Sequence, residues 1–189
     1  MKINKRELAV LHAADNPPAG VSTVGDYILK NYVLISEGCL YASNGASIWR
    51  AKLEDANNFE ACLGVEALKA AAKTMSKKEK ATLTWDGEEC SIKTDKATFA
   101  CEISSPTRYP AARGLMETVS EKPLEAVTKV TVALSELENA CKILRQANTK
   151  RKSDLGPTKI EIRKGGYVLI SCGNVEGLIA ALVKTGVRP

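Results

Sequence analysis

The sequence predicts an α+β fold made of three copies of one unit, with helices on one face of antiparallel sheets. Each unit consists of a strand, a helix and three further strands. Residues 65–80 place apolar side chains at helical spacing. The segments that follow alternate apolar and polar residues, which is typical of a sheet with one buried face. The same order of elements recurs on either side of this stretch, in copies of about 50 to 65 residues.

The central unit, residues 58–110, shows the pattern most clearly. Its segments read FEACLG for a strand, VEALKAAAKTMSKKEK for a helix, and ATLTWDGEE, CSIKTD and KATFACEIS for three strands. We expect the helix to bury Val65, Leu68, Ala72 and Met75. The side chains expected to face inward from the strands are Leu83, Trp85, Ile92, Phe99, Cys101 and Ile103.

The first unit, residues 1–55, opens with a short strand at residues 1–3. Asn4 is predicted to cap a helix, with Glu7 completing a capping box, and Leu8 and Leu11 supply the apolar face. Asn16-Pro17-Pro18 ends this helix. Three strands follow in the segments 27–36, 39–42 and 47–53, and the last two are joined by an Asn44-Gly45 hairpin turn.

The third unit follows residues 111–125, whose mixed composition predicts a connector between domains. A strand is predicted at residues 129–133, and Ser135 with Glu138 predicts the capped start of a helix. We expect this helix to turn Leu137, Cys141 and Leu144 inward, with Lys142 and Arg145 opposite. The strands predicted after it are residues 159–162, 167–172 and 177–183.

The composition is that of an ordinary globular protein, with 44% hydrophobic and 26% charged residues. No apolar run approaches the roughly 18 residues that a membrane span needs, and the N-terminus lacks the apolar core of a secretory signal. The net charge of +5 is only mildly basic, so that the placement of the charges matters more than their sum. A cytoplasmic protein without a membrane partner is expected.

The six cysteines show no C-x-x-C pair and no zinc or iron–sulfur spacing. Each lies in an apolar pattern, where cysteine acts as a small hydrophobic residue. We therefore predict core thiols in a reducing compartment, with a metal site or a disulfide framework as the alternative. The cysteines are Cys39, Cys62, Cys90, Cys101, Cys141 and Cys172.

Cationic side chains recur on the predicted helices. Lys69, Lys73 and Lys77 form a stripe about 120° around the central helix from its apolar face. Such a row suits an anionic partner longer than a single phosphate, although an exposed lysine stripe also occurs on helices that are merely solvated. The other candidate residues are Lys5 and Arg6 on the first helix, Lys142 and Arg145 on the third, and Lys150, Arg151 and Lys152 in a loop.

Three motifs in residues 1–118 resemble the bacterial DNA polymerase III β subunit, the sliding clamp. The opening MKINKRELAVLHAAD resembles the first strand and helix of a clamp domain, and ASNGASI at residues 42–48 resembles the A-T-D-G-x-x-L hairpin. The block from FEACLGVEALKAAAKTM to ATFACEISSPTRYP, with Tyr109-Pro110 near its end, resembles the second half of such a domain. Residues 127–184 resemble a half-domain.

The resemblance implies the DNA clamp fold, in which two units form a domain and domains join edge to edge in a ring. We accordingly expect residues 1–118 to form a complete domain, with units 1–55 and 58–110, and residues 119–189 to form a half-domain. In clamps the helices line a hole for duplex DNA. The basic residues above would then hold the phosphate backbone without reading bases.

The function implied is that of a sliding-clamp-like processivity factor that encircles or cradles duplex DNA, with a DNA polymerase or a clamp loader as a further partner. A phage or another mobile element is a compatible source. Bacterial clamps have six units in a chain and this sequence has three, so a ring of twelve units would need four chains. A smaller assembly, or a chain that never closes, is the alternative. Residues 182–189 do not match the C-terminal M-P-x-R-L of the family, so its peptide pocket is not carried over.

Two other functions remain open from the sequence: an enzyme that reuses the fold, and a clamp-fold module that binds protein instead of DNA. There is no G-x-G-x-x-G, Walker lysine loop, G-x-S-x-G or H-E-x-x-H motif. His12 is the only histidine and is expected to be structural, which leaves few acid–base options. We therefore expect no enzymatic activity, catalytic residue, metal or cofactor.

Overall fold

The structure is a computed structural model that describes residues 1–15, 24–54, 59–87, 89–109, 112–121, 131–147, 158–163 and 167–180. The helices are the 3-10 helices η1 (Glu7–Asp15) and η2 (Pro106–Arg108), and the α-helices α1 (Val24–Asn31), α2 (Val65–Thr74), α3 (Ala112–Glu121) and α4 (Leu134–Ala147). The strands are β1 (Lys2–Asn4), β2 (Tyr32–Ser36), β3 (Cys39–Ser43), β4 (Ser47–Lys52), β5 (Ala61–Gly64), β6 (Lys80–Trp85), β7 (Cys90–Lys93), β8 (Thr98–Cys101), β9 (Ile103–Ser104), β10 (Lys159–Arg163), β11 (Tyr167–Cys172) and β12 (Val175–Ala180).

The strands form two antiparallel sheets. The four-stranded sheet has the order β1-β6-β7-β8, and the eight-stranded sheet has the order β10-β11-β12-β4-β3-β2-β5-β9. The first two units exchange their leading strands, because β1 pairs with β6 of the second unit and β5 pairs with β2 of the first. The third unit joins the first through the β12–β4 ladder. A single sheet therefore runs from the third unit through the first to the second.

Three helices share one hydrophobic core with the two sheets. η1 packs against β3 and β4 and lies between α2 and α4, whereas α2 covers β7 and β8. Trp49 is fully buried in this core and Met75 is nearly so. α3 instead packs Met116 and Val119 against Leu169 and Leu178 in a separate cluster.

The capping box at the start of η1 is confirmed. The Asn4 backbone N–H donates to Glu7 Oε2 at 2.8 Å, and the Glu7 N–H donates to Asn4 Oδ1 at 3.1 Å. Asn44 likewise organises the predicted hairpin, since its Oδ1 accepts from the N–H groups of Ala46 and Ser47. Among the described residues, a helix followed by three strands occurs three times, and the predicted leading strand is present in the first two units as β1 and β5.

Several predicted boundaries are wrong. Val24–Asn31 is a helix, although residues 27–31 were assigned to a strand, and it brings Leu29 against Tyr32 and Tyr41 in a buried cluster. The predicted connector contains α3, because Met116 and Val119, one helical turn apart, bury their side chains together. Residues 131–133 are not in a strand, and residues 129 and 130 of that predicted strand lie outside the described residues.

The predicted orientation of α4 is also wrong. Leu137 and Cys141 are exposed and Leu144 is half-buried, while the buried residues are Glu136, Asn139, Ala140 and Ile143. The reason is tertiary: Asn44 Nδ2 donates a buried hydrogen bond to Glu136 Oε1 at 2.8 Å, and α4 packs on η1. These contacts rotate the helix away from the orientation that its leucines favour.

Two further expectations about apolar side chains need correction. Trp85 is 48% exposed and packs edge-on against Phe59, with ring centroids 5.3 Å apart. Of the cysteines, Cys141 is exposed and Cys39 is half-buried, so that neither belongs to the predicted set of core thiols. The remaining four are buried, and all six are free thiols: Cys39, Cys62, Cys90, Cys101, Cys141 and Cys172.

Candidate nucleic-acid interface

A groove of about 550 Å³ runs along the solvent side of the helices, between η1 and α2. Its walls carry apolar side chains below and charged side chains at the rim. Gln146 of α4 also lines it, which brings all three core helices to the same opening. The lining residues are Lys5, Leu8, Leu11, His12, Asp15, Glu66, Lys69, Ala72, Lys73 and Gln146.

Asp15 links the two walls of the groove. Its Oδ1 lies 2.8 Å from Lys69 Nζ on α2, and its Oδ2 lies 2.7 Å from His12 Nδ1, one turn earlier on η1. Partial burial acts to raise the pKa of Asp15, but the hydrogen bonds from Lys69 and His12 hold that pKa below its usual value. The carboxylate is therefore ionised near neutral pH and offsets part of the charge of Lys69.

Lys5 is held at the end of α2. Its Nζ donates to the Met75 carbonyl oxygen at 2.7 Å, where the helix has just ended and its last carbonyls need donors. Lys73 lies on the same wall and is exposed. Within the described part of the chain, no carboxylate is within ion-pair distance of Lys73. Lys73 thus presents its charge to solvent at the rim of the groove.

α4 also carries cationic side chains. Lys142 and Arg145 are both exposed, whereas Ala140 and Ile143 are buried against the core. Lys142 lies four residues before Gln146, which lines the groove, and so shares its side of the helix, whereas Arg145 points about 100° away from Gln146. The structure therefore places cations on both helices that flank η1.

The other predicted residues do not join this group. Arg6 is exposed and lines a separate cavity of about 340 Å³ with Lys52. Lys77 lies in a turn and not on the helix, because α2 ends at Thr74 and the turn is fixed by the Ser76 N–H, which donates to Glu79 Oε2 at 2.8 Å. The predicted three-lysine stripe is therefore wrong at Lys77. Lys150, Arg151 and Lys152 lie outside the described residues.

Three side chains of the groove were missed by the sequence reasoning. Glu66 and Asp15 bring negative charge to the rim, and Gln146 brings a neutral polar group. The spacing of His12 and Asp15, three apart on one helix, was a usable signal for their pairing. Nothing local in the sequence connects Asp15 with Lys69, since they lie on different units.

The described residues contain no group of three or more His, Cys, Asp or Glu side chains placed to hold a metal ion. In the same ranges, no helix is both long enough and apolar enough to cross a membrane.

The arrangement of units matches that of solved sliding clamps. The structure superposes on the DNA polymerase sliding clamp of Pseudomonas aeruginosa with a TM-score of 0.61 at 13% identity, covering 100% of this chain and 65% of that chain. The chain has the DNA clamp fold. The DNA polymerase III β subunit of Thermotoga maritima gives a TM-score of 0.62 at 13% identity, with coverage of 100% and 65%. That of Borrelia burgdorferi gives 0.64 at 10% identity, with coverage of 97% and 64%.

These likenesses confirm the predicted resemblance and the α+β clamp fold. No family model matches the sequence, and no curated protein matches it. The chain spans about 65% of the length of the solved clamps named above. What the clamp fold fixes for this chain is the layout: paired sheets, with η1, α2 and α4 gathered over one core.

Proposed function

We propose that this protein is a clamp-like DNA-binding processivity factor that holds the phosphate backbone of duplex DNA along the helix-bearing side described above. The observation that supports this is the position of Lys69 and Lys73 on α2 and of Lys142 on α4, one turn before the groove residue Gln146, with both helices packed against η1. A row of cations spread over several helices suits a polymer of phosphates better than a single anion. No base-reading contact is needed for such a role.

The charge balance of the groove predicts weak and mobile contacts. Lys5, Lys69 and Lys73 contribute three ammonium groups, while Asp15 and Glu66 contribute two carboxylates. The rim of the groove is thus only slightly cationic, and the affinity for DNA depends strongly on Lys73, Lys142 and Arg145. Binding of this kind weakens steeply as the salt concentration rises.

We also propose a division into domains and a ring-shaped assembly. Residues 1–118 act as a complete clamp domain and residues 119–189 as a half-domain, so that four chains would supply the twelve units of a closed ring. A DNA polymerase or a clamp loader is the expected protein partner.

Peripheral phosphate contacts are proposed at Arg6, at Lys77 and in the loop that contains Lys150, Arg151 and Lys152. The protein itself performs no chemistry.

The test is DNA binding by a pair of charge-reversal variants, measured by fluorescence anisotropy on a labelled duplex over a series of salt concentrations. The test variant is Lys73→Glu/Lys142→Glu, because both side chains are exposed and both lie on helix faces that border the groove. The matched control is Lys2→Glu/Lys93→Glu. Those two lysines are also exposed, but they adjoin the buried Ile3 and Ile92 along their strands and therefore point to the opposite face of the sheet.

Both variants lower the net charge of the chain by four, from +5 to +1. A loss of DNA affinity that depends only on net charge would therefore be the same in both. The test variant is expected to lose at least about tenfold in affinity and to reduce the slope of log K against log salt by about 2. The control is expected to keep the wild-type slope. Equal losses in both variants would contradict the proposed face, and unchanged binding by both would favour a protein-binding module.

A further inference from the structure

The β7–β8 hairpin carries two cysteines at the same position of its ladder. Cys90 is paired directly with Cys101, and Ile92 with Phe99 two residues further on. We infer that Cys90 and Cys101 form a redox-sensitive dithiol site, which a small disulfide reagent converts reversibly into a disulfide bond between the two strands. The inference does not depend on DNA binding, because it concerns the thiols of this hairpin alone.

The register of the hairpin meets the main geometric requirement of a disulfide. Residues directly opposite each other in an antiparallel ladder have Cα atoms about 4.5 or 5.5 Å apart, and both spacings lie within the usual range for bonded cysteines, about 4.4 to 6.8 Å. The Cβ atoms must come slightly closer than in an ordinary cross-strand pair. β7 is the one ladder partner of β8 among the described strands, so that this small shift of β8 disturbs no second ladder there.

The side chains of the two cysteines meet on one face of the hairpin. Cys90 and Cys101 both belong to the core cluster that α2 covers, and their thiols are hydrogen-bonded to each other. Within the described ladders no other cysteine lies opposite a cysteine. The ladder partners of Cys39, Cys62 and Cys172 are Ser36, Lys52, Leu34, Ser104 and Val175.

The hydrogen bond between the thiols makes them chemically different. It lowers the pKa of Cys90, because the Cys101 thiol stabilises the Cys90 thiolate, and burial acts in the opposite direction. The hydrogen bond and burial both raise the pKa of Cys101. A thiolate is the attacking species in thiol–disulfide exchange. Cys90 is therefore the nucleophile, and Cys101 is the thiol that closes the bond.

A surface cavity of about 620 Å³ gives a small reagent access to the pair. Both cysteines line this cavity, although Cys90 is only 4% exposed and Cys101 only 7%. The exposed side chains of Glu89 and Glu102 line it as well. Because their carboxylates attract cations and repel anions, the reagent class that fits is a small disulfide with ammonium groups, such as cystamine.

The exchange proceeds in two steps. The Cys90 thiolate attacks one sulfur of the reagent, whose S–S bond breaks, and one half of the reagent leaves. The Cys101 sulfur then attacks Cys90 Sγ, which forms the bond between the cysteines and releases the second half. The two cysteines lose two electrons, the reagent gains them, and the two cysteine protons end on the two thiols released. An excess of thiol reverses both steps, so that the exchange is a reversible modification and not catalytic turnover.

The test treats the folded full chain with cystamine, blocks the remaining thiols with iodoacetamide and digests the denatured, unreduced protein with trypsin. The cleavage sites that separate the two cysteines follow Lys80, Lys93, Lys96 and Arg108. Peptides 81–93 and 97–108 then contain one cysteine each. Mass spectrometry is expected to show them joined and about 2 Da lighter than their sum, because two hydrogens are lost. An excess of dithiothreitol should separate them.

Single substitutions test the roles of the two thiols. The background for them is Cys39→Ser/Cys141→Ser, which removes the half-buried thiol and the exposed one. Cys101→Ala should accumulate a mixed disulfide between Cys90 and one half of cystamine, because the closing thiol is absent. Cys90→Ala should form a mixed disulfide at Cys101 at least about tenfold more slowly, since the remaining thiol ionises less readily.

The measurement on the wild-type chain does not depend on the folding of either variant. The matched controls are the buried thiols of Cys62 and Cys172, which the reagent should leave unmodified in the folded protein. Three results would each overturn the inference, whatever the DNA-binding result. They are a folded chain in which both hairpin cysteines stay reduced, a mixed disulfide at Cys90 that persists although Cys101 is present, and bonds from the hairpin cysteines to Cys62 or Cys172 instead.

Discussion

Gly177 lies opposite Trp49 in the β12–β4 ladder, and a Cβ atom at this glycine would come within 2.5 Å of three ring atoms of the indole. The contact joins the third unit to the first, since β12 and β4 belong to different units. Trp49 is fully buried, so the ring has little room to move. The absence of a side chain at residue 177 is therefore a condition for the continuous eight-stranded sheet.

Gly177→Ala is expected to destabilise the protein by about 1 to 3 kcal/mol, the usual cost of overpacking a core. Urea denaturation measures the change. The matched control is Gly114→Ala in α3, where an added Cβ meets no heavy atom within 4 Å. This substitution should be neutral or stabilising, because alanine favours a helix over glycine by roughly 1 kcal/mol. If both substitutions lowered the free energy of unfolding equally, the contact between residue 177 and Trp49 would not explain the effect of Gly177→Ala.

Asn44 and Glu136 also link the first unit to the third. Asn44→Ala should cost about 2 to 3 kcal/mol, because it removes a buried hydrogen bond to a carboxylate together with the hairpin contacts of the Asn44 Oδ1 atom. Glu136→Gln keeps an acceptor at the same place and should cost less. A double-mutant cycle with Glu136→Ala measures the coupling, and additive effects would show that the bond contributes little.

Glu7 gives the protein a pH-dependent stability. Burial raises the pKa of Glu7 to about 6 from 4.5, against the hydrogen bond from the Asn4 N–H, and Glu54 adds repulsion. The folded state then binds more protons than the unfolded state in this interval. The contribution of Glu7 to stability therefore increases as the pH falls from about 6 toward 4.5.

Glu7→Gln removes this titration while keeping a side-chain acceptor for the Asn4 N–H. The unfolding free energy of the wild type, relative to the variant, should rise on acidification over that interval. Urea denaturation at several pH values measures both proteins. Parallel pH curves for the two would contradict the prediction.

A substitution at Asp15 tests the proposed DNA-binding face by raising its positive charge, whereas the charge-reversal variant lowers it. Asp15→Asn removes the carboxylate that pairs with Lys69, so that the groove gains one net positive charge. DNA binding should become tighter, and the slope of log K against log salt should steepen by about 1. Asp95→Asn, at an exposed turn outside the groove, is the matched control. Weaker binding by Asp15→Asn alone would mean that Asp15 positions Lys69 productively.

Local patterns were sufficient wherever a single segment carries its own signal. The capping box of Asn4 and Glu7, the Asn44-Gly45 hairpin and the burial of Val65 and Leu68 all depend on residues a few positions apart. The repeated order of elements followed from the same signals, and with it the clamp fold. Helical spacing also identified Lys73 on α2 and Lys142 and Arg145 on α4 as exposed cations, whereas Lys69 is half-buried and pairs with Asp15.

Long-range contacts decided the rest. The sequence by itself determined the units, their order and most of the residues that each buries, because caps, turns and periodicity act over a few residues. Only the tertiary structure decided that Leu137 and Cys141 face outward, that Asp15 meets Lys69, and that β12 joins β4. The physical reason is that packing against a distant segment, such as Glu136 against Asn44, outweighs the weaker preference of one helix for its most apolar side.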